Sequence, residues 1–79
     1  MNPVEAAAEV RRTTSALREA NAIRRRLERL AASGTELPPS SKRLLEETVV
    51  AVERLAHDLA RHQRTEQRRL AEALRRGHP

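Results

Sequence analysis

The chain has 79 residues and a formal net charge of +5, and it contains no Phe, Tyr, Trp or Cys. This length allows one domain at most. The lack of Cys excludes disulfide bridges and thiolate metal ligands. Without aromatic side chains, every apolar contact must come from smaller aliphatic groups. A chain of this size and composition has too little core to fold alone, so we expect it to bury apolar surface against itself or against a second protein.

The sequence contains no segment that predicts a membrane span or export. The longest substantial apolar run, residues 49–52, is far shorter than the roughly 20 residues that cross a bilayer. The N-terminus lacks the basic and apolar regions of a signal peptide, which predicts a cytoplasmic protein. The basic residues are fifteen Arg and one Lys. That bias is compatible with a GC-rich bacterial genome, and also with selection for bidentate contacts to phosphate or carboxylate.

The first helix is predicted over about residues 3–33. Asn2 can cap it, Pro3 occupies its first position, and Glu5 stands where a capping-box acid belongs. Gly34 is suited to a left-handed C-terminal cap. The apolar positions alternate by three and four residues, which places them on one helix face: Ala6, Val10, Thr13, Ala16, Leu17, Ala20, Ile23, Leu27 and Leu30.

A loop is predicted over residues 34–40, because Pro38 and Pro39 force extended backbone before them. Ser40 or Ser41 is then expected to cap the second helix. Leu37 is the only large apolar residue of the loop. It either folds back onto the second helix or remains solvated.

The second helix is predicted over about residues 41–76, with Gly77 at its end. Its apolar arc covers about half of the helix circumference at 100° per residue. One neighbouring helix needs a narrower arc, so the second helix is expected to contact a further partner. Residues 60–69 break the pattern and would place His62, Gln63 and Glu66 inward.

These elements predict an all-α fold, an antiparallel two-helix hairpin with coiled-coil-like packing. Dimerisation or a partner would complete it to a four-helix bundle. Folding about the loop would place residue 30 near residue 44 and residue 12 near residue 62. The polar residues 11–15 would then face residues 62–66. There His62 and Glu66 either bond to Thr13 or Arg12 and set the register between the helices, or form ion pairs on the helix surface.

No motif for catalysis, metal binding or a cofactor is present. The Ser and Thr residues lack a nucleophile–base context, and no Gly-rich phosphate loop occurs. His57 and His62 are five residues apart, so they lie on different helix faces, whereas metal pairs favour spacings of three or four. His78 is expected to be inert. We therefore expect no enzyme activity, no cofactor and no small-molecule substrate.

Two surfaces remain as candidates for function. The apolar stripe comprises the expected partner-binding residues Ile23, Leu27, Leu30, Leu45, Val49, Val52, Leu55 and Leu59. Residues 18–58 hold eight basic and seven acidic groups, whereas the two flanking segments together hold eight basic and four acidic. The end that holds the termini is therefore basic and could bind nucleic acid. Without aromatics to stack on bases, a solvated surface is the competing interpretation. The candidate nucleic-acid contacts are Arg11, Arg12, Arg61, Arg64 and Arg68.

Residues 17–60 resemble the small helical-hairpin co-chaperones of type III secretion needle subunits. The likeness comprises Arg24-Arg25-Arg26-Leu27, the Ala31-Ala32-Ser33-Gly34 segment before a Pro-containing loop, and then Leu44-Leu45 and Val52-Glu53. Members pair with a helical-repeat chaperone and keep the needle subunit soluble. Members also tend to carry an aromatic residue early in the second helix, which this chain lacks. In size, topology and basic surface the chain is also similar in outline to Rop-type RNA-binding four-helix dimers.

Taken together, the residues predict a non-enzymatic protein–protein interaction module, such as a small chaperone, adaptor or assembly factor. Its partner would be a second copy or another protein. The alternative is a dimeric nucleic-acid-binding regulator that uses the Arg-rich end.

Overall fold

The computed structural model describes residues 2–77, which form two α-helices packed along each other in an antiparallel hairpin. Helix α1 spans Pro3–Ala32 and helix α2 spans Pro39–Arg76. The hairpin is elongated, with extents of 63 × 15 × 13 Å. An all-α fold of two packed helices, as predicted, is confirmed, and no strand occurs among residues 2–77.

The ends of α1 follow from local sequence chemistry. The side-chain oxygen of Asn2 accepts a hydrogen bond from the backbone N–H of Glu5 at 2.8 Å, which satisfies one of the donors that a helix start leaves free. Pro3 occupies the first helical position, as predicted. At the other end Gly34 has φ +76°, the left-handed conformation expected of a glycine that terminates a helix.

Helix α2 begins at Pro39, about two residues before the predicted start. The fixed φ of proline suits the first helical turn, and its missing N–H is not needed there. Pro38 therefore occupies the cap position, and no side chain caps the helix. The prediction that Ser40 or Ser41 caps α2 is wrong, because both serines already lie within its first turn.

Leu37 is half-buried and lines a shallow cleft together with Leu30 and Leu45. This position agrees with the expected fold-back of the loop onto α2 rather than with a solvated loop leucine. The loop thus adds one aliphatic contact to the end of the hairpin.

The prediction that residues 11–15 face residues 62–66 is confirmed, but within that contact the register between the helices is shifted from the predicted one. The side-chain amide of Gln63 donates to Thr14 Oγ1 at 2.8 Å, so residue 12 lies opposite about residue 65 rather than 62. This shift is close to one helical turn of 3.6 residues. Ala32 and Leu45 line the same groove. Residues 39–44 therefore extend beyond the end of α1, and the loop spans the distance from the end of α1 to the start of α2.

The buried core among residues 2–77 consists of three alanines, Ala6, Ala20 and Ala56, which are 1%, 4% and 8% exposed. Ala6 and Ala20 are two heptads apart on α1, and with Thr13 and Leu27 they form the row that faces α2. Alanines let the helices pack closely but bury little area. The larger aliphatic side chains consequently remain half-buried or exposed, and the hairpin by itself has a thin core.

Candidate interaction surfaces

A polar layer joins the two helices in the half that holds the termini. Thr13 Oγ1 donates a hydrogen bond to Glu66 Oε1 at 2.9 Å, and Gln63 Nε2 donates to Thr14 Oγ1 at 2.8 Å. Both bonds are part-buried. The inward placement of Gln63 and Glu66 is therefore confirmed. The second carboxylate oxygen of Glu66 is buried and has no hydrogen-bond partner within residues 2–77.

The inward placement of His62 is wrong. Its side chain is 62% exposed, and its Nε2 lies 3.5 Å from Asp58 Oδ2 on the same helix. One residue corresponds to 100° of rotation, so a helix that turns Gln63 inward turns His62 outward. The surface ion-pair interpretation thus describes His62, whereas the register-setting interpretation describes Glu66.

Asp58 is the centre of a small charged cluster on the surface of α2. Arg61 donates to Asp58 Oδ1 at 2.6 Å. This hydrogen bond is the main cause that holds the pKa of the Asp58 carboxyl below its ordinary value, against a smaller opposing effect of desolvation. The charges of His62, Arg61 and His57 lower the same pKa further. The ion pairs of this cluster all lie within α2.

The apolar stripe divides into two groups. Three members leave large side-chain surfaces in solvent: Ile23, Leu30 and Leu55 are 47%, 43% and 51% exposed. Leu44, which the predicted stripe leaves out, is 62% exposed. Its position eleven residues before Leu55 is the signal that could have found it, because that spacing keeps one helix face. The remaining members are half-buried: Leu27, Leu45, Val49, Val52 and Leu59.

The two sides of the hairpin differ in chemistry. One side, here called the charged face, has a groove that α1 lines with Asn21 and Arg24 and α2 lines with Glu53 and His57. The helical period places the exposed aliphatic residues on the opposite side. That side, here called the apolar face, consists of Ile23, Leu30, Leu44, Ala51 and Leu55.

The charged face is polar around Arg24 and Glu28, and nearer the loop it has an apolar groove lined by Ala31, Ala32 and Val49. Arg24 forms an ion pair with Glu28 at 3.1 Å. The large exposed aliphatic residue on the charged face is Val50, which is 46% exposed. Of the large exposed aliphatic side chains near the loop, Ile23, Leu30, Leu44 and Leu55 therefore lie on the apolar face and Val50 lies on the charged face.

The five candidate nucleic-acid-binding arginines are all exposed, two of them on α1 and three on α2. Arg11 follows the inward-facing Ala6 by five residues, which turns it away from α2. Arg61 follows Ala56 by the same spacing and is turned away from α1. Because the helices are antiparallel, this equal rotation turns Arg11 and Arg61 toward the charged face, whereas Arg12, one residue before Thr13, is turned toward the apolar face.

A longer row of arginines runs along the outer edge of α2. Arg54, Arg61, Arg68 and Arg75 follow one another every seven residues, about 10.5 Å apart. All four are exposed. Arg54 and Arg75 were not among the predicted candidates, although the regular spacing is visible in the sequence.

Within residues 2–77, no group of three or more His, Asp or Glu side chains is placed to hold a metal ion. In the same part of the chain, no helix has the length and apolarity to cross a bilayer. His78, which was expected to be inert, lies outside the described residues.

Comparison of the chain with protein-family models, with curated proteins and with solved structures finds no match. The resemblance to needle-subunit co-chaperones and the likeness to Rop-type dimers therefore stay predictions. Function has to be inferred from the two faces and the arginine row.

Proposed function

We propose that the protein is a non-enzymatic protein–protein interaction module, a small adaptor, chaperone or assembly factor that acts in the cytoplasm. It binds its partner through the apolar face and thereby completes a four-helix bundle. The observation that carries the proposal is the contrast between a buried core of three alanines and aliphatic side chains exposed by about half on one side.

The energetics favour a covered apolar face. Full burial of a Leu or Ile side chain contributes about 1.5–3 kcal/mol, so the exposed halves of Ile23, Leu30, Leu44 and Leu55 together represent several kcal/mol of unrealised stabilisation. A monomeric hairpin forgoes that contribution and also lacks a large core. Contiguous exposed apolar surface with a polar surround is typical of protein–protein contact sites.

The test introduces a single carboxylate on α2, either at the apolar face or, as a control, at the charged face. Leu55→Asp, Val52→Asp and Leu59→Asp each introduce a carboxylate on or beside the apolar face. Val50→Asp is the matched control, because Val50 is similarly exposed but lies on the charged face. Association is measured by light scattering after gel filtration, and by co-purification of any complex that the wild type forms.

We expect the three variants of the first group to lose association and Val50→Asp to keep it. Leu55 is half-exposed, so Leu55→Asp should leave the helical content measured by circular dichroism unchanged. Retention of the complex by both Val52→Asp and Leu59→Asp would contradict the proposal. Loss of association in Val50→Asp alone would place the contact on the charged face instead.

A second candidate function is nucleic-acid binding, and the arginine row on the edge of α2 favours it. Regularly spaced guanidinium groups can contact successive phosphates of a nucleic acid. Binding of this kind would weaken steeply with salt and would be lost when Arg61, Arg64 and Arg68 are changed to Ala. The matched control changes Arg18, Arg25 and Arg29 on α1, which removes the same charge. A gel-shift assay with RNA and DNA at low salt tests for nucleic-acid binding. The absence of a shift at micromolar protein would contradict this function.

A further inference from the structure

We infer that the occupant of the apolar face is a second copy of this chain, packed antiparallel so that α1 lies beside α1 and α2 beside α2. In this arrangement Glu19 of one copy faces Arg26 of the other. The inference rests on the proposed function and names its partner. It follows from surface area, from a row of alternating charges and from the level of the exposed side chains.

The exposed area exceeds that of a compact monomer. The chain exposes 6205 Å², whereas a folded monomer of 8.9 kDa exposes about 4,800 Å². The excess is about 1,400 Å². A stable interface buries about 800 Å² on each partner. One face of this elongated hairpin, set against an identical face, supplies an area of that size.

A row of charges borders the apolar face on α1. Glu5, Arg12, Glu19 and Arg26 follow one another every seven residues and alternate in sign. Each stands one residue before a member of the inward-facing row of α1, which turns it toward the apolar face and away from Arg24 and the charged face. All four are exposed, and the four ion pairs found within residues 2–77 involve none of them.

Two exposed aliphatic side chains, Ile23 on α1 and Leu55 on α2, lie at one level along the hairpin. Counting nine residues along each helix from the bond between Thr14 and Gln63 leads to Ile23 on α1 and Arg54, the neighbour of Leu55, on α2. A two-fold axis across the apolar face at this level places Ile23 and Leu55 each beside its own copy. Both side chains, 47% and 51% exposed in the single hairpin, would then be buried.

The same axis also pairs the charges. An axis between residues 22 and 23 of α1 superposes position 19 on position 26 of the second copy, so two Glu19–Arg26 pairs form. Charges that flank a helix–helix contact select the partner and its orientation in this way. Burial of Ile23 and Leu55 and pairing of Glu19 with Arg26 therefore call for one and the same axis. Leu30 and Leu44 lie farther from this axis, level with Ser15 and Thr65 of the second copy.

The parallel arrangement lacks this agreement. With both loops at one end, α1 lies beside α2 of the second copy. In the register set by the Thr14–Gln63 bond, Glu19 would then be level with Asp58 and Arg26 with Ala51, neither of which offers an opposite charge. The two terminal ends, each of which carries a net charge of +4, would also lie together and repel. The antiparallel arrangement places these basic ends at opposite ends of the dimer.

The orientation is tested with one spin label on the full chain. The chain contains no Cys, so Ser41→Cys provides a unique attachment site, and Ser41 is exposed in the first turn of α2. The antiparallel dimer predicts a label-to-label distance of about 40 Å from the rise of 1.5 Å per residue. A parallel dimer predicts less than about 20 Å. Pulsed electron–electron double resonance measures this distance and distinguishes the two arrangements.

The charge pairing is tested by reversal and exchange. Glu19→Arg turns both attractive pairs into repulsive ones and should raise the dimer dissociation constant about tenfold. Arg26→Glu should do the same, and the double variant E19R/R26E should return to within about twofold of the wild type. Glu53→Arg, on the charged face, makes the same change of charge and should leave the dissociation constant unaltered.

A short label distance overturns the inference, and so does failure of the double variant to recover. A wild-type chain that stays monomeric at about 100 μM would also overturn it. In that case the proposed function is decided separately. It stands if another protein binds the wild type and Val50→Asp but not Leu55→Asp, and it fails if Leu55→Asp binds equally well.

Discussion

Thr13 and Glu66 are separated by 53 residues of chain and are joined by a hydrogen bond of 2.9 Å across the two helices. The bond places a carboxylate in the contact between α1 and α2, where an aliphatic pair would bury more apolar area. The other oxygen of Glu66 is buried without a partner within residues 2–77. This pair contributes to register at a cost in desolvation.

Replacing Thr13 by Val should lower the free energy of unfolding by about 1.5 kcal/mol, because the Glu66 carboxylate then loses its donor from α1. The double variant T13V/E66L should recover the loss, since both polar groups are replaced by apolar ones. Urea unfolding measures both effects, and all variants are compared at one protein concentration because association makes the apparent stability depend on it.

The control for this prediction is Thr65→Val. The Thr65 hydroxyl donates only to the carbonyl of Arg61 on its own helix, so the stability should change little. Equal losses in Thr13→Val and Thr65→Val would show that the bond to Glu66 contributes nothing.

The starts of the two helices should respond differently to loss of a polar side chain. Asn2→Ala removes the acceptor for the Glu5 N–H and should cost about 1 kcal/mol. Ser40→Ala should have almost no effect, because no side chain caps α2. Thermal unfolding followed by circular dichroism compares the two, and a larger loss for Ser40→Ala would contradict the described start of α2.

Substitution of Gly34 should lower the stability of the fold because of its backbone conformation alone. Its φ is +76°, and an added Cβ would meet no atom within 4 Å. Gly34→Ala should therefore cost about 1 kcal/mol through left-handed strain, and Gly34→Asn should cost less. Gly77→Ala is the control, since Gly77 has φ −79°. Denaturant unfolding of the three variants measures the difference, and an unchanged stability in Gly34→Ala would rule out the left-handed cap.

The pH dependence of stability should include a component from Asp58. Its pKa in the folded chain is lowered below the ordinary value of 3.8, first by the hydrogen bond from Arg61. A lowered folded pKa means that the stabilisation is present above pH 3.8 and is lost as the pH falls through the folded pKa. Carboxyl NMR titration should show the Asp58 pKa rising toward 3.8 in Arg61→Ala. Arg64→Ala, in which that hydrogen bond remains, should leave the Asp58 pKa in place.

Much of the local structure could be predicted from residue types. Proline and glycine interrupt the apolar periodicity once, which yields two helices, and Asn2 and Gly34 have the side-chain and backbone chemistry for their end positions. The inward placement of Gln63 and Glu66 also follows from periodicity, because one helix face must remain continuous. These features depend on interactions between residues that are close in the sequence, so they can be predicted from the sequence alone.

The offset between the helices and the path of the loop were decided only by the tertiary structure. Periodicity states which residues share a face, but it says nothing of how far one helix slides along the other. That offset depends on where Pro39 starts α2, and it determines that Thr14 meets Gln63. The same offset determines which exposed side chains of α1 and α2 lie at the same height along the hairpin.

The division into an apolar and a charged face likewise needed the packed structure. A wide apolar arc on α2 predicts two contacts but does not say which residues α1 covers. In the structure the three buried alanines hold the helices together, and side chains such as Ile23 and Leu55 remain in solvent. The sequence by itself thus determined the two helices, and the packing of small residues decided which aliphatic side chains remain exposed.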